Sequence, residues 1–206
     1  MQDFYDYAYA SDSKYCYAGT NILKNKLNIQ DMQELQDAER EITSLRTAEF
    51  LNKFVNSAYD LDLAFLKEIH RFIFQDVYTW AGEFRTVDIA KGNMFCRSVF
   101  IEDQLTEIFS NLKAENDLTE LPKDQLAVRL AHYLGELNAV HPFREGNGRV
   151  QRIFISLLAL KNGYHLQFSK ITREDMLRAS DEAFHLRYEF MEELMKNILD
   201  DPDASV

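Results

Sequence analysis

The residues best equipped for chemistry stand in one run, His141-Pro142-Phe143-Arg144-Glu145-Gly146-Asn147-Gly148-Arg149, followed by Val150-Gln151-Arg152. Two glycines flanking an asparagine let the backbone turn tightly and present N–H groups to an anion, and a helix starting there adds its positive end. Such a place binds phosphate. Arg149 and Arg152, three apart, lie near one side of a first helical turn and can both reach a polyphosphate. Glu145 offers a hard oxygen suited to Mg²⁺, which bridges phosphate oxygens in turn. His141, at the other end of the loop, is a base that titrates near neutral pH. Together these groups point to nucleotidyl or phosphoryl transfer onto a nucleophile that His141 deprotonates. Singly, each has a plainer explanation: a turn, a satisfied structural histidine, a solvated basic face. Turn chemistry does not account for all of them within twelve residues. Phe143 reads differently, as a core anchor holding the loop down.

Rigid elements must flank such a loop. Leu126, Leu130, Leu134 and Leu137 approach it at helical spacing after Pro122, a good first-turn residue, and a second helical stretch leaves it over about 147–162, ending at Gly163. Ile153, Phe154, Ile155, Leu157, Leu158 and Leu160 make that second stretch apolar on several faces, which predicts the buried centre of the fold. Upstream, Met32, Leu35, Ile42 and Leu45, then Leu61, Phe65, Leu66, Ile69, Phe72 and Ile73, predict two more helices, with Asp31 and either Asp60 or Asp62 as N-caps. The aromatic run Phe72, Phe74, Tyr78 and Trp80 before Ala81-Gly82 reads as a helix end packed into the core. Two short segments, 86–89 and 95–99, separated by Ala90-Lys91-Gly92-Asn93-Met94, predict a small hairpin with a Gly-Asn turn. Helical pattern resumes over 102–114, and one last helix is expected over 173–199.

With 206 residues, 46% of them hydrophobic, and three prolines and seven glycines scattered singly, the chain predicts one core without a linker. A net charge of -11 argues against direct nucleic-acid binding, which depends on Lys and Arg neutralising phosphates. Cys16 and Cys96 match no metal, redox or disulfide spacing, so a reducing compartment is the default. The polar, acidic, tyrosine-rich start has neither the basic nor the apolar region of a signal peptide, and no apolar run approaches membrane-spanning length. A cytoplasmic protein is expected, unless a specialised secretion system exports it.

At the loop the sequence resembles the Fic family, whose signature is His-Pro-Phe-x-(Asp or Glu)-Gly-Asn-Gly-Arg-x-x-Arg; every defining position is filled. The resemblance runs from about Asp60, through the Ile-His…Tyr-x-Trp-Ala-Gly pattern of Ile69 to Gly82, to about Asn197. It implies an all-α fold, a helical bundle with a small β-hairpin flap, in which 1–206 is a single domain with its core at about 60–197 and an N-terminal extension and helix over 1–59. The implied activity is transfer of AMP from ATP to a Tyr, Thr or Ser hydroxyl of another protein, with pyrophosphate released. Carried over by position, His141 would be the general base and Glu145 would hold Mg²⁺. Gly146, Asn147 and Gly148 would form the anion hole, Asn147 on the α-phosphate, with Arg149 and Arg152 gripping the outer phosphates. The hairpin, about 88–96, would be the flap that pairs main chain with the target segment. Asp88, Ile89, Lys91, Gly92 and Met94 are its candidate residues, Lys91 and Met94 the expected side-chain contacts, though a plain exposed turn explains those two equally well.

Many Fic proteins are silenced by a helix carrying (Ser or Thr)-x-x-x-Glu-(Gly or Asn), whose Glu pairs with the second motif arginine. Here only Glu145-Gly146 and Glu115-Asn116 supply the last two residues, and neither has Ser or Thr four earlier. The nearest approach, Thr20 to Asn25, has Lys24 at the glutamate position, which would repel Arg152. The chain therefore resembles the toxin-type members, in which a separate small antitoxin brings the helix, and DNA gyrase or topoisomerase IV subunits are the first expected targets. The stretch 17–25 also recurs in effectors delivered into host cells. Other readings are transfer of UMP; transfer of phosphate, where relatives replace the glycine at Gly148 with a bulkier basic residue; or a scaffold with a vestigial loop, which loss of His141, Asn147 or Arg149 would mark.

Overall fold

The computed structural model describes residues 13–54 and 59–201. The first twelve residues, residues 55–58 and the part of the acidic tail beyond Asp201 lie outside the described residues. The described residues are helical with two small antiparallel pairs of strands, and the backbone divides into two compact units. One takes in the described residues up to Asp60, Ala64–Ile101 and Pro142–Gly146; the other takes in Leu61–Leu63, Glu102–His141 and the chain from Asn147 onward.

The first unit is built on α1 (Met32–Phe54) and α2 (Leu63–Phe74). Asp31 Oδ1 accepts the Glu34 amide at 2.9 Å, the N-cap expected of it. Asp62 stands directly before α2. The stripe that α1 buries is Leu35, Glu39, Thr43 and Phe50, whereas Leu45, expected inside, is exposed. Two polar residues can line that stripe because both are satisfied. Tyr78 Oη donates to Glu39 Oε2, and Thr43 Oγ1 donates to the Glu39 carbonyl at 2.7 Å. Phe74, Tyr78 and Trp80 are buried as expected, with Tyr78 stacked on Trp80 at 4.3 Å.

The hairpin is shorter than its sequence pattern predicts. β1 (Ala90–Lys91) pairs with β2 (Asn93–Met94) inside the stretch expected to connect two strands, with Gly92 at the tip at φ +72°. The flanks expected to be strands spend their polar groups on side chains. Arg85, 1% exposed, donates to the Val87 carbonyl at 2.8 Å and to the Cys96 carbonyl, and Asp88 Oδ1 accepts the Ser98 amide at 2.7 Å and hydroxyl at 2.9 Å. Of the main-chain ladder expected there, the Phe95 amide bonds the Ile89 carbonyl at 3.3 Å.

The second unit holds α3 (Ile101–Ala114), α4 (Lys123–Val140), α5 (Asn147–Lys161), α6 (Arg173–Phe184) and α7 (Glu189–Ile198), with β3 (His165–Leu166) paired to β4 (Leu199–Asp200). α5 is the buried centre, as its many-sided apolar pattern predicts: Val150, Phe154, Ile155, Leu157 and Leu158 are all at most 1% exposed. Pro122 precedes α4 and Gly163 follows α5 in the left-handed region at φ +81°. The single last helix expected over 173–199 is two helices, broken at residues 185–188. Leu186 turns left-handed there at φ +61°, and Tyr188 packs so tightly on α4 that a Cβ at Gly135 would lie 2.6 Å from its ring. The β3–β4 pair has no counterpart in the sequence reading, because two-residue strands carry no periodicity. No described helix is long and apolar enough to cross a membrane.

Candidate active site

The motif runs through both units, and each holds its share differently. In the second unit α4 ends at Val140, and His141 follows as its C-cap in the left-handed region, φ 48° and ψ 60°, its amide bonded to the Leu137 carbonyl at 3.0 Å. A non-glycine residue in that region costs about 1 kcal/mol or more and persists only where its surroundings impose it. Gln151, on the first turns of α5, donates its side-chain amide to the same carbonyl at 3.1 Å and is buried. The backbone of His141 and the start of α5 are thus fixed to one atom.

α5 begins at Asn147, so the first-turn amides, which lack an intrahelical partner, belong to the motif. Asn147 is 2% exposed, while Gly148, Arg149 and Arg152 are half-buried. Arg152 folds back along the helix. A Cβ at Gly148 would lie 3.2 Å from its Nη1, so glycine leaves room for the guanidinium beside the helix start.

In the first unit, 142–146 forms a loop anchored from beneath. Phe143 is buried and stacks on the His70 ring at 3.9 Å, the anchoring expected of it. The Pro142 carbonyl accepts the Arg85 amide at 2.9 Å. Gly146 has φ +80°, and a Cβ there would meet the Phe74 ring at 2.1 Å, so no other residue fits. Its amide donates at 2.8 Å to Oε1 of Glu145, whose side chain is half-buried.

Among the described residues no cluster of three or more His, Cys, Asp or Glu side chains could hold a metal. Glu145 alone suits a magnesium ion that arrives with phosphate oxygens and water, because Mg²⁺ is commonly held by one or two carboxylates plus substrate phosphates.

Of the hairpin residues singled out from sequence, Lys91 and Gly92 lie at the tip and Met94 is 51% exposed. Ile89 is 2% exposed, and its carbonyl accepts the Phe95 amide at 3.3 Å. The Asp88 carboxylate holds Ser98; that amide first, and the Ser98 hydroxyl next, keep its carboxyl below the usual range.

The chain matches the Fic/DOC family over residues 60–159. It is 41% identical over 171 residues to "Probable protein adenylyltransferase Fic" of Escherichia coli, covering 82% of this chain and 83% of that one. The chain belongs to the Fic/DOC family. It is also 37% identical over 190 residues to the protein adenylyltransferase VbhT of Bartonella schoenbuchensis, covering 92% of this chain but 39% of VbhT. Among solved structures it is similar to the N-terminal Fic domain of a VirB-translocated Bep effector from Bartonella quintana with bound ADP. That likeness has a TM-score of 0.86 and 30% identity, covering 93% of this chain and 97% of that one.

Two supports of the site carry no signal in the sequence. Gln151 occupies an unspecified motif position, and its bond to Leu137 has no local signal. His70 stands within the Ile69–Gly82 pattern, and its bonds to the Gly82 amide and the Glu145 carbonyl join residues 12 and 75 apart, beyond any local signal.

Proposed function

We propose that this chain, a protein adenylyltransferase by family, transfers AMP from ATP to a Tyr, Thr or Ser hydroxyl, with His141 as general base and the start of α5 as the phosphate cradle. The observation that carries this is the shared Leu137 carbonyl, which sets the backbone of the only base in the motif against the helix start that receives phosphate. Catalysis then needs positioning and charge stabilisation more than covalent help. His141 takes the proton of the attacking hydroxyl. The Gly146, Asn147 and Gly148 amides and the Asn147 side chain hold the α-phosphate, and Arg149 and Arg152 hold the outer phosphates that leave as pyrophosphate. Glu145 would hold Mg²⁺, which would neutralise phosphate charge. Gly148 favours AMP over phosphate as the transferred group, because a bulkier residue would displace the Arg152 guanidinium. The hairpin tip at Lys91, Gly92 and Met94 receives the target's main chain, while Asp88 and Ile89 brace it from below. The chain is read as a single Fic domain over 1–206, supported by one family match running through residues 60–159.

For regulation, an antitoxin-supplied glutamate helix is the favoured arrangement, with gyrase or topoisomerase IV subunits as targets and the cytoplasm as the place. Support for a helix supplied by another protein is that residues 20–25 are not helical: Cys16 bridges Leu23, and Lys24 Nζ donates to the Ser13 carbonyl at 2.7 Å. An effector role is the second reading, favoured by the likeness to translocated Bartonella domains.

The test supplies Mg²⁺, bacterial lysate and ATP labelled on the α- or the γ-phosphate to the protein and to His141→Ala. Label from the α position alone, dependent on His141, is expected. Label from the γ position would make the enzyme a kinase. Equal labelling by His141→Ala would remove His141 from its role.

A further inference from the structure

His70 is fully buried within α2, and both ring nitrogens are engaged. The Gly82 amide donates to Nδ1 at 2.8 Å, and Nε2 lies 3.1 Å from the Glu145 carbonyl oxygen. A nitrogen that accepts an N–H carries no proton of its own, so the ring is neutral with its proton on Nε2, and Nε2 donates to Glu145. That tautomer accepts a carbonyl at this place and rejects an amide.

The consequence falls on the peptide between Glu145 and Gly146. In a trans peptide the C=O and N–H point in opposite directions, so holding the Glu145 carbonyl towards His70 turns the Gly146 amide away from it. Glycine at φ +80° tolerates either sign of φ, so residue 146 resists a peptide flip poorly on its own. The direction in which the amide points also has independent chemistry, since it already carries an anionic oxygen, Glu145 Oε1 at 2.8 Å.

We infer that His70 is a positioning residue whose single tautomer selects the peptide orientation that aims the Gly146 amide at the nucleotide phosphate. This rests on the site reading above, in which that amide belongs to the anion hole. When the Glu145 carboxylate leaves the amide, phosphate oxygen takes its place. Packing alone does not explain the residue. The ring lies between Phe143 at 3.9 Å and Phe74 at 4.7 Å, and a phenylalanine would stack there equally well while carrying neither hydrogen bond.

The experiment uses the full chain as wild type and as His70→Phe, His70→Gln and His141→Ala. It measures thermal melting, Mg²⁺-ATP affinity, transfer of α-labelled AMP into lysate protein, and imidazole ¹⁵N resonances in the wild type. His70→Phe is expected to bind ATP roughly tenfold or more weakly, the worth of one amide–phosphate bond, with a matching loss of transfer. His70→Gln, whose amide supplies one acceptor and one donor, recovers part of both. His141→Ala keeps wild-type ATP affinity, so transfer by that variant would sink the site reading without touching the His70 measurement. Wild-type ATP affinity in His70→Phe would overturn the inference. So would a ring protonated on Nδ1, which is decided on the wild type even where a variant fails to fold.

Discussion

The motif loop and the hairpin belong to one unit of the molecule and are held by opposite means. Residues 142–146 rest on buried rings: Phe143 on His70, and Gly146 against Phe74. The hairpin is held at its base by polar side chains, Arg85 spanning the Val87 and Cys96 carbonyls and Asp88 gripping Ser98. Its tip consists of two pairs of residues around Gly92, and a Cβ at Gly92 would meet nothing within 4 Å. Close packing resists any change of volume beneath the loop, whereas the hairpin tip at Gly92 has open space beside it. On the proposed reading, that difference suits a loop that places phosphate and a flap that accepts segments of varied sequence.

The contrast breaks first at its glycines. Gly146→Ala forces a methyl to 2.1 Å from Phe74 and strains φ, which should cost roughly 2–5 kcal/mol in denaturant unfolding and abolish ATP binding. If it is as mild as its hairpin counterpart, Phe74 moves freely and the loop is not clamped. Arg85→Met removes two bonds to hairpin carbonyls and should cost about 2–3 kcal/mol, and protected amides near Ile89 and Phe95 should exchange faster. Unchanged exchange there would mean that the hairpin base does not need Arg85.

Gly92→Ala strains φ alone and should cost about 1 kcal/mol, leaving ATP affinity unchanged while weakening use of protein targets. The smallest effect is acid sensitivity. Because Ser98 depresses the Asp88 carboxyl, the folded state holds that proton less tightly than the unfolded one. The anchor's contribution is fully present above the ordinary carboxylate value of about 3.9 and fades as pH falls through the lower folded value. Asp88→Asn should flatten that acid limb of the melting profile and change little at pH 7. An unaltered acid limb would assign it to other carboxylates.

The legibility of the two regions follows the same division. The turn at Gly146 and the helix start at Asn147 were readable because they are local: they need given residue types at fixed spacing. The helices flanking the loop were readable from their periodicity, and α5 from its apolar faces. The hairpin's position was readable, but its register was not. Side chains of Arg85 and Asp88 took the main-chain partners that strand patterns assume, and nothing in 86–99 announces that. Leu45 was misplaced because the buried stripe of α1 contains Glu39, whose place inside depends on Tyr78, 39 residues away.

By itself the sequence determined the family and the helical character of the chain, since these rest on residue type and short-range spacing. Tertiary structure decided where α6 stops and α7 begins, through Tyr188 against Gly135. It decided that Gln151 and His141 share the Leu137 carbonyl, and that His70 faces the Glu145 carbonyl, 75 residues along the chain. Those are meetings between distant residues, and only a folded chain fixes which donor finds which acceptor.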